Sequence, residues 1–388
     1  MNIADKESLA ALFDAAVAAA DPGLAIAPVL PEPPKGRTVV IGAGKGAAQM
    51  AQAFEAHWPH GCEGLVVTRY GYAAPCKTLE VLEAAHPVPD EASLRATAAI
   101  KQAVSGLSED DLVISLVCGG GSALLAAPPE GLALEDEADL NKALLASGAP
   151  IGAMNAIRKQ VSTIKGGRLA ALAHPARLIS LVVSDVPGDD PAQVASGQTV
   201  ADATDRAAAL KAVADYRIDL PERVAQFLAQ APEDAPLPDD PKVSSNVTHV
   251  VASAGLSLEA AAAKSDVPSV ILSDAIEGEA RDVGRVHGAI VREVLMRDRP
   301  FSKPCLMLSG GETTVTLRGS GGRGGRNTEF LLSLAIALDG VPGWQALAAD
   351  TDGIDGSEDN AGAFADGTTC ARLRAAGHDP MALLSDND

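Results

Sequence analysis

Residues 38–48 read TVVIGAGKGAA: an apolar run passes through a glycine-rich turn into an alanine-rich stretch that can form a helix. The same order recurs along most of the chain, where short β-branched or leucine-rich runs alternate with helix-forming segments. Nearly continuous apolar strands that alternate with helices indicate a parallel sheet covered by helices on both faces. The sequence therefore predicts an α/β fold.

Eight strands follow from these runs, and several of the intervening segments predict helices. The predicted strands are 38–43, 64–69, 79–84, 111–118, 177–184, 248–253, 268–273 and 303–308, and the predicted helices include 47–57, 91–105 and 154–173. After the last of these strands, residues 313–317 alternate threonine with apolar residues, which predicts a hairpin or a mixed sheet.

One segment has the composition of a linker. Residues 230–242, QAPEDAPLPDDPK, contain four prolines and four acidic residues. This composition disfavours a packed strand or helix, so the segment is predicted to join two domains. We expect an N-terminal domain at residues 1–232 and a smaller α/β domain at residues 243–388.

The charge balance limits the partners of the chain. Its 388 residues include 31 Lys and Arg against 51 Asp and Glu, a formal net charge of −20. Such a chain repels nucleic acids and anionic membranes, and an aromatic content of only 3% disfavours base-stacking surfaces. The hydrophobic fraction of 47% excludes a mostly disordered chain. A small anion held in a local basic pocket remains compatible with this balance.

The apolar segments, the N-terminus and the cysteines indicate the cellular compartment of the protein. No stretch reaches the ~18 consecutive apolar residues of a membrane helix, and the N-terminus is too acidic for a signal peptide. The five cysteines are scattered without a CxxC pair, which favours free thiols in a reducing compartment. We therefore expect a cytoplasmic protein with no membrane or nucleic-acid partner.

The glycine turn at residues 42–47 satisfies GxGxxA, a pattern typical of dinucleotide-binding folds. Such folds carry an acidic residue at the end of the next strand, but that strand ends here in Arg69, which weakens the dinucleotide interpretation, for NAD in particular, although NADP could use an arginine. Within the turn, Gly44 and Lys45 are candidate ligand-binding residues. An ammonium beside a helix N-terminus suits a carboxylate or a phosphate, and a solvated surface lysine is the alternative.

A second glycine turn lies in residues 116–125, LVCGGGSALL, between a predicted strand and a predicted helix. The backbone N–H groups of Gly119, Gly120 and Gly121 can converge on an anion, and the hydroxyl of Ser122 can bind one of its oxygens. The alternative is a tight strand–helix turn in which Ser122 is only a helix cap.

The densest basic cluster of the chain lies in residues 155–170, NAIRKQVSTIKGGRLA. Arg158 and Lys165 are seven residues apart, so they are predicted to share a helix face that guides anions to the site. An ordinary solvated face of a helix is the alternative.

Carboxylates follow the strand predicted at 177–184. Asp185 comes just past its end, and Asp189 and Asp190 follow. A carboxylate in this place can accept a proton or hold Mg²⁺, which prefers one or two carboxylates together with phosphate oxygens and water. The same residues are also typical of a turn.

The second domain contains a glycine-rich loop within residues 307–330, MLSGGETTVTLRGSGGRGGRNTEF. Its arginines point to an anion, because the planar guanidinium suits carboxylate and phosphate groups. A loop with a purely structural role is the alternative. The candidate binding residues here are Gly310, Gly311, Glu312, Arg323, Gly325, Arg326 and Asn327.

An acidic loop follows at residues 348–364, AADTDGIDGSEDNAGAF. It superficially resembles an EF-hand loop, but the position of the bidentate acid falls on Ala361, so calcium is disfavoured. Magnesium binding or orientation of a phosphate acceptor is favoured instead, with Asp352 as the candidate.

Several enzyme classes lack their motifs in this sequence. It has no GxxxxGK[ST] loop, no GxSxG nucleophile turn and no protein-kinase motif set. Glycine turns, a turn lysine, loop arginines and loop aspartates are groups that phosphoryl transfer uses for positioning and charge neutralisation.

Nine ordered segments resemble those of the class II glycerate 2-kinases, whose C-terminal part is the MOFRL domain. They are GAGKGAA (42–48), AAHPVPDEAS (84–93), CGGGSALL (118–125), NAIRKQVSTIKGGRLA (155–170), SDVPGDD (184–190), EGEARDVG (277–284), SGGETTVT (309–316), GGRGGRNTEF (321–330) and DTDGIDG (350–356).

The resemblance implies an ATP-dependent kinase that uses Mg²⁺ and converts D-glycerate to 2-phosphoglycerate in a cleft between two domains. The implied fold is a Rossmann-like three-layer sandwich followed by a smaller α/β domain of the MOFRL type. Lys45 and Arg326 match the family's functional lysine and arginine. Asp185 and Asp352 are the candidates for magnesium ligand or proton acceptor, and the glycine turns, Ser122, Arg158, Lys165 and Asp189 are expected to bind substrate or nucleotide.

Other functions remain open beside this one. Some family members carry the name hydroxypyruvate reductase, and the GxGxxA match agrees with an NAD(P)-dependent reductase. A non-catalytic sensor of sugar acids or nucleotides is a third interpretation, and a homodimer is one open state of assembly.

The sequence departs from the family pattern in three places. Gln160 stands where a histidine is common, and Gln198 replaces a usual proline. The sequence given ends at Asp388, where family members continue with a further strand and loop, so we expect either a truncated chain or a short second domain.

Overall fold

The computed structural model describes residues 6–230, 235–317 and 322–388. The chain divides into two compact units, Ala20–Ser253, here called the Rossmann-like unit, and Met1–Ala19 with Ala254–Asp388, here called the terminal unit. This division differs from the expected domains at 1–232 and 243–388, because residues 243–253 belong to the Rossmann-like unit and the first helix belongs to the terminal unit. Residues 231–234 of the predicted linker lie outside the described residues.

The described residues form ten strands and fifteen α-helices. The strands are β1 (Thr38–Ala43), β2 (Glu63–Arg69), β3 (Glu80–Ala84), β4 (Leu112–Val117), β5 (Arg177–Val183), β6 (Val247–Ala252), β7 (Ser269–Glu279), β8 (Leu306–Thr314), β9 (Gln345–Ala349) and β10 (Gly362–Asp366). The helices are α1 (Lys6–Ala19), α2 (Pro22–Ile26), α3 (Ala47–His57), α4 (Glu91–Ala103), α5 (Gly121–Leu124), α6 (Leu134–Ala146), α7 (Ile151–Gln160), α8 (Arg168–Ala173), α9 (Arg206–Asp215), α10 (Glu222–Gln230), α11 (Ala254–Lys264), α12 (Ala280–Arg297), α13 (Arg326–Ala337), α14 (Thr369–Ala375) and α15 (Pro380–Asp386).

The Rossmann-like unit is built on a six-stranded parallel sheet in the order β3-β2-β1-β4-β5-β6. All six residues of β1 and of β4 are buried, as expected for central strands whose apolar runs are nearly continuous. The chain adds strands outward from β1 to β3 on one side of the sheet and from β4 to β6 on the other. The boundary between β1 and β4 is the topological switch point, and ligands of such sheets bind there, beyond the carboxyl ends of the strands. The predicted α/β class is confirmed.

Helices cover both faces of this sheet, which gives three layers. Successive residues of β1 point to opposite faces: Val39 packs in a cluster with Ile100 of α4, and Val40 packs in another cluster with Phe54 of α3. Phe54 has no exposed surface and its ring stacks on Trp58 with the centroids 5.4 Å apart. Burial of one such aromatic side chain stabilises the fold by roughly 1.5–3 kcal/mol.

The helix predicted at 154–173 is wrong as a single element. Two helices, α7 and α8, are separated by residues 161–167, where Gly166 and Gly167 take left-handed backbone angles with φ of +64° and +81°. The hydroxyl of Ser162 accepts the N–H groups of the two following turn residues, Ile164 and Lys165, both at 3.3 Å. Lys165 therefore lies in a turn and does not share a helix face with the residues of α7.

The terminal unit contains two small sheets with helices around them. β7 and β8 pair in parallel, and β9 and β10 pair antiparallel. The prediction of a strand that ends at 308 and a hairpin after it is wrong, because β8 continues to Thr314 alongside the extended β7, which ends at Glu279. Helix α1 packs on α11 through a cluster that contains Leu12, Ala261 and Leu306.

The helices were compared with the length and apolar composition that a membrane-spanning helix needs. Within residues 6–230, 235–317 and 322–388, no single helix is long and apolar enough to cross a bilayer, although the bent pair Lys6–Ala19 and Pro22–Val29 together meets the length and composition test.

Candidate active site

The turns that follow β1 and β4 meet at the switch point of the sheet. The N–H of Lys45 donates to the carbonyl of Gly119 at 2.9 Å, and the hydroxyl of Thr68, in β2, donates to the carbonyl of Lys45 at 3.0 Å. The backbone of Lys45 is thus held from two neighbouring strands, while its side chain is exposed. Lys45 therefore presents a positively charged group from a fixed backbone at the place where such sheets bind ligands.

Gly44 lets these two turns approach each other closely. Its φ is +146°, and an added Cβ would overlap Sγ of Cys118. The next N–H, that of Gly46, donates to the same sulfur at 3.1 Å. In dinucleotide-binding turns the corresponding glycine makes room for a pyrophosphate, whereas here the space is filled by protein. The ligand-binding role expected for Gly44 remains a prediction.

The three glycines of the second turn each face a neighbour at short distance. An added Cβ at Gly119 would overlap the carboxylate of Asp185, and one at Gly120, whose φ is +84°, would lie 2.9 Å from Nε2 of His86 and 3.2 Å from Cγ of Lys45. The turn therefore has the carboxylate of Asp185, the imidazole of His86 and the aliphatic part of the Lys45 side chain close to its backbone. In the part of the chain that the structure describes, the N–H groups of Gly119 and Gly120 donate to no protein acceptor.

Burial and neighbouring charges shift the pKa values of two groups in this cluster, Cys118 and His86. Burial raises the pKa of the Cys118 thiol to about 12, and the neighbouring Asp185 carboxylate adds to the rise while Lys45 opposes it. Burial, with the positive charges of Lys45 and Arg69, lowers the pKa of His86. The thiol is therefore neutral at physiological pH, a state in which it is a poor nucleophile.

A buried polar network lies behind the turn. The hydroxyl of Ser122 is 3.0 Å from that of Ser196, which in turn donates to Oδ1 of Asn155 at 3.0 Å. The guanidinium of Arg158 donates to the same Oδ1 at 3.1 Å, and burial lowers its pKa. Gln198, the departure from the family pattern, donates to the carbonyl of Gly121 at 2.9 Å. Arg158 and Ser122 thus support the turn from inside, and their expected contacts with a ligand remain a prediction.

Two lysines of the predicted basic cluster are buried in ion pairs. Lys165 is 2% exposed and bonds to Glu137 at 2.5 Å, and Lys159 is fully buried against Asp202. The solvated helix face considered for this cluster is therefore wrong. The ion pair with Glu137 is sufficient to explain where the Lys165 ammonium lies. The anion-binding role expected for Lys165 remains a prediction, and these contacts do not support it.

The loop after β5 carries the other predicted carboxylates. Asp185 is exposed beside Gly119, and Asp189 is partly buried with a left-handed φ of +54°. Ala195 and Ser196, further along the same loop, also have positive φ values of 50° and 58°. Such conformations are costly for residues with a side chain and persist only where the surroundings hold them. The loop that carries Asp185 is therefore held tightly, by Ser196 among others.

In the terminal unit, Arg326 is the first residue of α13 and bonds two carboxylates. Its Nε and Nη2 donate to Oδ2 of Asp350 at 3.0 and 2.6 Å, and its Nη1 donates to Glu312 at 3.0 Å. Partial burial lowers the pKa of Arg326, but the bonds to Asp350 and Glu312 outweigh it and raise that pKa overall. The guanidinium fork is therefore held in one orientation, with 35% of its side chain exposed.

The N-terminus of α13 is fixed by Asp355, a role that the sequence did not reveal. Its carboxylate is fully buried and accepts the backbone N–H groups of Asn327 and Thr328, both at 2.9 Å, and the hydroxyl of Thr328 at 2.8 Å. An added Cβ at Gly325 would lie 2.5 Å from this carboxylate. Asn327 and Gly325, expected to bind a ligand, are thus engaged by the acidic loop. Because Asp355 lies 28 residues after Asn327 in the sequence, no local pattern connects it to the start of α13.

The remaining predicted residues of this unit are more exposed. Asp352 is exposed, and its Oδ1 accepts the N–H of Ile354 at 2.9 Å. Arg323 is 81% exposed and pairs with Glu358 at 2.6 Å. Gly310 and Gly311 lie within β8 instead of in a turn after a strand. The structure thus brings Glu312, Asp350 and Arg326 together, and it places Arg323 in a separate ion pair.

The fold and these clusters define a two-unit α/β protein with a lysine-bearing glycine turn at the switch point of a doubly wound sheet. The family model described as "Domain of unknown function (DUF4147)" matches residues 8–229, and the MOFRL family model matches residues 305–388. The chain belongs to the family that includes the glycerate 2-kinases, as the resemblance of its segments predicted.

Individual relatives carry two different names. The chain is 38% identical over 389 residues to a D-glycerate 2-kinase of Thermotoga maritima, covering 99% of this chain and 89% of the relative. It is 50% identical over 392 residues to a protein of Agrobacterium vitis named putative hydroxypyruvate reductase, covering all of this chain and 89% of the relative. A crystal structure of a Thermotoga maritima glycerate kinase superimposes with a TM-score of 0.87 at 37% identity, covering 99% of this chain and 92% of that one.

Proposed function

We propose that this protein is an ATP-dependent glycerate 2-kinase that converts D-glycerate to 2-phosphoglycerate. The observation that carries the proposal is the cluster at the switch point, where Lys45 adjoins the N–H groups of Gly119 and Gly120, which have no acceptor among the described residues. That cluster lies in a chain that matches a D-glycerate 2-kinase over nearly its full length. A kinase needs a nucleotide as phosphoryl donor, and ATP is the proposed nucleotide.

Lys45 and the glycine turn supply positive charge and hydrogen-bond donors to an anion. In phosphoryl transfer the protein contributes mainly by positioning the reactants and by neutralising the charge that spreads over the phosphoryl oxygens. The ammonium of Lys45 and the amides of Gly119 and Gly120 would perform that task on a phosphate or on the carboxylate of glycerate. Asp185, exposed beside Gly119, would accept the proton of the 2-hydroxyl group.

Arg326 is proposed as a second anion-binding group. Its guanidinium can donate a charge-assisted hydrogen bond to a carboxylate or to a γ-phosphate from the nitrogen that Asp350 does not hold. Asp350 keeps Nε and Nη2 in place, and the weaker partner is Glu312, whose side chain is 76% exposed. An incoming anion would displace Glu312 and take over Nη1 without loss of the bonds to Asp350.

The carboxylates of the described residues are compatible with Mg²⁺ only if phosphate oxygens of the substrate supply most of its ligands. Among the described residues, no three His, Cys, Asp or Glu side chains converge as a metal-binding group. Mg²⁺ is commonly held by one or two carboxylates together with phosphate oxygens and water. Either Asp185 or Asp352, each of them exposed, is the proposed carboxylate, and the ion would neutralise phosphate charge when it is bound.

A hydroxypyruvate reductase is the second candidate. Its support is the name of two Agrobacterium vitis relatives, which are 50% and 51% identical to this chain. Two features of the turn disfavour it: Arg69 stands where an NAD-binding strand carries an acidic residue, and the space beside Gly44 is filled by Cys118.

Identification of the product separates the two candidates. Purified protein would be incubated with ATP, Mg²⁺ and D-glycerate, and the products followed by phosphorus NMR, which distinguishes 2-phosphoglycerate from 3-phosphoglycerate. A parallel assay with hydroxypyruvate and NADH or NADPH would follow nicotinamide absorbance. We expect 2-phosphoglycerate and no nicotinamide oxidation. Oxidation of either nicotinamide without phosphoglycerate would reverse the order of the candidates.

A further inference from the structure

A cavity of about 370 Å³ opens at the carboxyl ends of β2 and β3, and the proposed function does not use it. Its lining residues are Arg69, Tyr70, Tyr72, Ala85 and His86. The cavity adjoins the glycine turn, because Nε2 of His86 and Cγ of Lys45 both lie within 3.2 Å of the position that a Cβ would occupy at Gly120. It therefore extends the switch-point cluster towards the outer strands.

Arg69 is held in this cavity by an aromatic ring and lacks a partner for one of its donors. Its guanidinium carbon lies 3.5 Å from the centre of the Tyr72 ring, an arrangement that fixes the plane of the guanidinium. The Nε–H is buried and has no hydrogen-bond acceptor among the described residues. A buried donor without an acceptor is unfavourable, so an anion that accepts this N–H would relieve the cost.

The carboxylates near the cavity are already engaged elsewhere. Asp90 accepts the hydroxyl of Tyr70 at 2.8 Å, and Glu83 accepts the N–H of Gly71 at 2.6 Å. Within the described residues, no ion pair involves Lys45 or Arg69. The two cations thus share one edge of the sheet without a carboxylate partner, in a chain whose net charge is −20.

We propose that Arg69, stacked on Tyr72 and flanked by His86, forms an oxyanion subsite next to Lys45. It binds one planar or tetrahedral oxyanion, and the fork of Arg69 donates two parallel hydrogen bonds to it. The inference rests on the proposed function for the identity of that group, which is either the carboxylate of D-glycerate or a phosphate of the nucleotide. Arg69 is thus a substrate-binding residue that the family resemblance did not assign.

The kinetic test compares Arg69→Gln, Arg69→Lys and the control Arg95→Gln with the wild type. Arg95 is an exposed arginine of α4 that does not line the cavity, although its charge acts on Tyr70, so its replacement controls for the general positive charge near the site. Loss of a charged hydrogen-bonding pair should raise one Michaelis constant of Arg69→Gln by at least about tenfold. Arg69→Lys, which folds with the same charge, should recover only part of that loss, because a point charge cannot replace the fork.

The two substrates identify the bound group. A rise in the KM of D-glycerate alone assigns the subsite to the carboxylate, and a rise in the KM of ATP alone assigns it to a phosphate. The proposal is overturned if both constants of Arg69→Gln stay within twofold of the wild type, or if Arg95→Gln changes them equally.

A binding measurement separates this proposal from the kinase assignment. If the wild type phosphorylates no glycerate, the proposed function fails, and calorimetric titration with D-glycerate and with ADP then judges the subsite alone. A dissociation constant at least about tenfold weaker in Arg69→Gln for one of these ligands supports the subsite. Equal binding by both proteins, or no binding of either ligand to the wild type, overturns it.

Discussion

Lys45 is positioned by its backbone and not by its side chain, since its N–H and its carbonyl bond to neighbouring strands while its ammonium reaches solvent. Lys45→Ala should therefore leave the fold intact and remove charge from the site. We expect kcat/KM for glycerate phosphorylation to fall by roughly 100-fold or more, and the free energy of unfolding to change by less than about 1 kcal/mol. Steady-state kinetics and urea unfolding measure the two quantities.

The control for this variant is Lys77→Ala, which removes an exposed lysine of the same unit. It should retain wild-type kinetics. Equal losses in the two variants would show that Lys45 contributes only to the general potential of the surface.

The two arginines of the glycine-rich loop should respond differently to replacement by lysine. Arg326 uses three N–H groups on two carboxylates, whereas Arg323 is 81% exposed and pairs with one. Arg326→Lys keeps the charge but loses the fork, so we expect a loss of at least about tenfold in kcat/KM. Arg323→Lys should lose less. Small and equal losses would mean that the loop supplies only diffuse positive charge.

The buried thiol of Cys118 links stability to high pH. Burial raises its folded-state pKa from an ordinary value near 9 to about 12, so the unfolded chain releases this proton at lower pH than the folded protein does. The contribution of the neutral thiol is fully present below pH 9 and is lost as the pH rises towards 12. Wild type should therefore lose more unfolding free energy than Cys118→Ala between pH 8 and 10.5, measured by urea titration. Parallel losses in both proteins would contradict this assignment.

At the scale of elements, the start of α13 depends on one carboxylate. Asp355 accepts two backbone N–H groups and a hydroxyl there, and it has no exposed surface. Asp355→Ala leaves these donors unpaired, so we expect a loss of about 2 kcal/mol of stability or more. Because Arg326 is the first residue of that helix, the variant should also lose activity beyond its loss of stability.

Asp359→Ala is the matched control for that experiment, because Asp359 is an exposed acid of the same loop. Urea unfolding and kinetics at a temperature where each variant is folded would compare the two. If Asp359→Ala were as damaging as Asp355→Ala, the acidic loop would act through its total charge and not as a helix cap.

The six strands of the parallel sheet were predictable because each is a short apolar run bounded by turn residues. Their carboxyl ends necessarily share one edge of a parallel sheet, so the meeting of Lys45, Gly119 and Asp185 also followed from the order of the motifs. The interior ion pair of Lys165 did not, because its partner Glu137 lies 28 residues away and no periodicity connects them. The sequence also did not predict that β8 continues through Gly310 and Gly311. Two adjacent glycines indicate a turn, and here it is the pairing with β7 that keeps them in a strand.

At the scale of the whole molecule, the terminal unit combines both ends of the chain. Leu12 of α1 is 8% exposed and packs with Ala261 and Leu306. Truncation of a buried leucine to alanine costs about 2–5 kcal/mol, so Leu12→Ala should destabilise the terminal unit specifically. Val17→Ala, on the more exposed side of the same helix, should change stability by less than about 1 kcal/mol.

Because each unit contains one of the two tryptophans, fluorescence can report the unfolding of each unit separately. Trp58 lies in the Rossmann-like unit and Trp344 in the terminal unit. With Trp58→Phe as the background, fluorescence during urea unfolding reports Trp344 alone, and its midpoint should fall in Leu12→Ala. A midpoint that stays in place would show that α1 contributes little to the unit.

Helix α1 packs in a unit whose other residues, 254–388, are synthesised much later. This separation determines when α1 can be buried during translation. The ribosome releases Leu12 first, whereas Leu306, which covers it, follows roughly 290 residues later. At about 5–20 residues per second this interval lasts about 15 to 60 s. The contiguous segment Ala20–Ser253 emerges complete within it, while the apolar side of α1 still lacks its partners and is open to chaperones. Helix α1 is therefore synthesised before the segment Ala20–Ser253 and is buried after it.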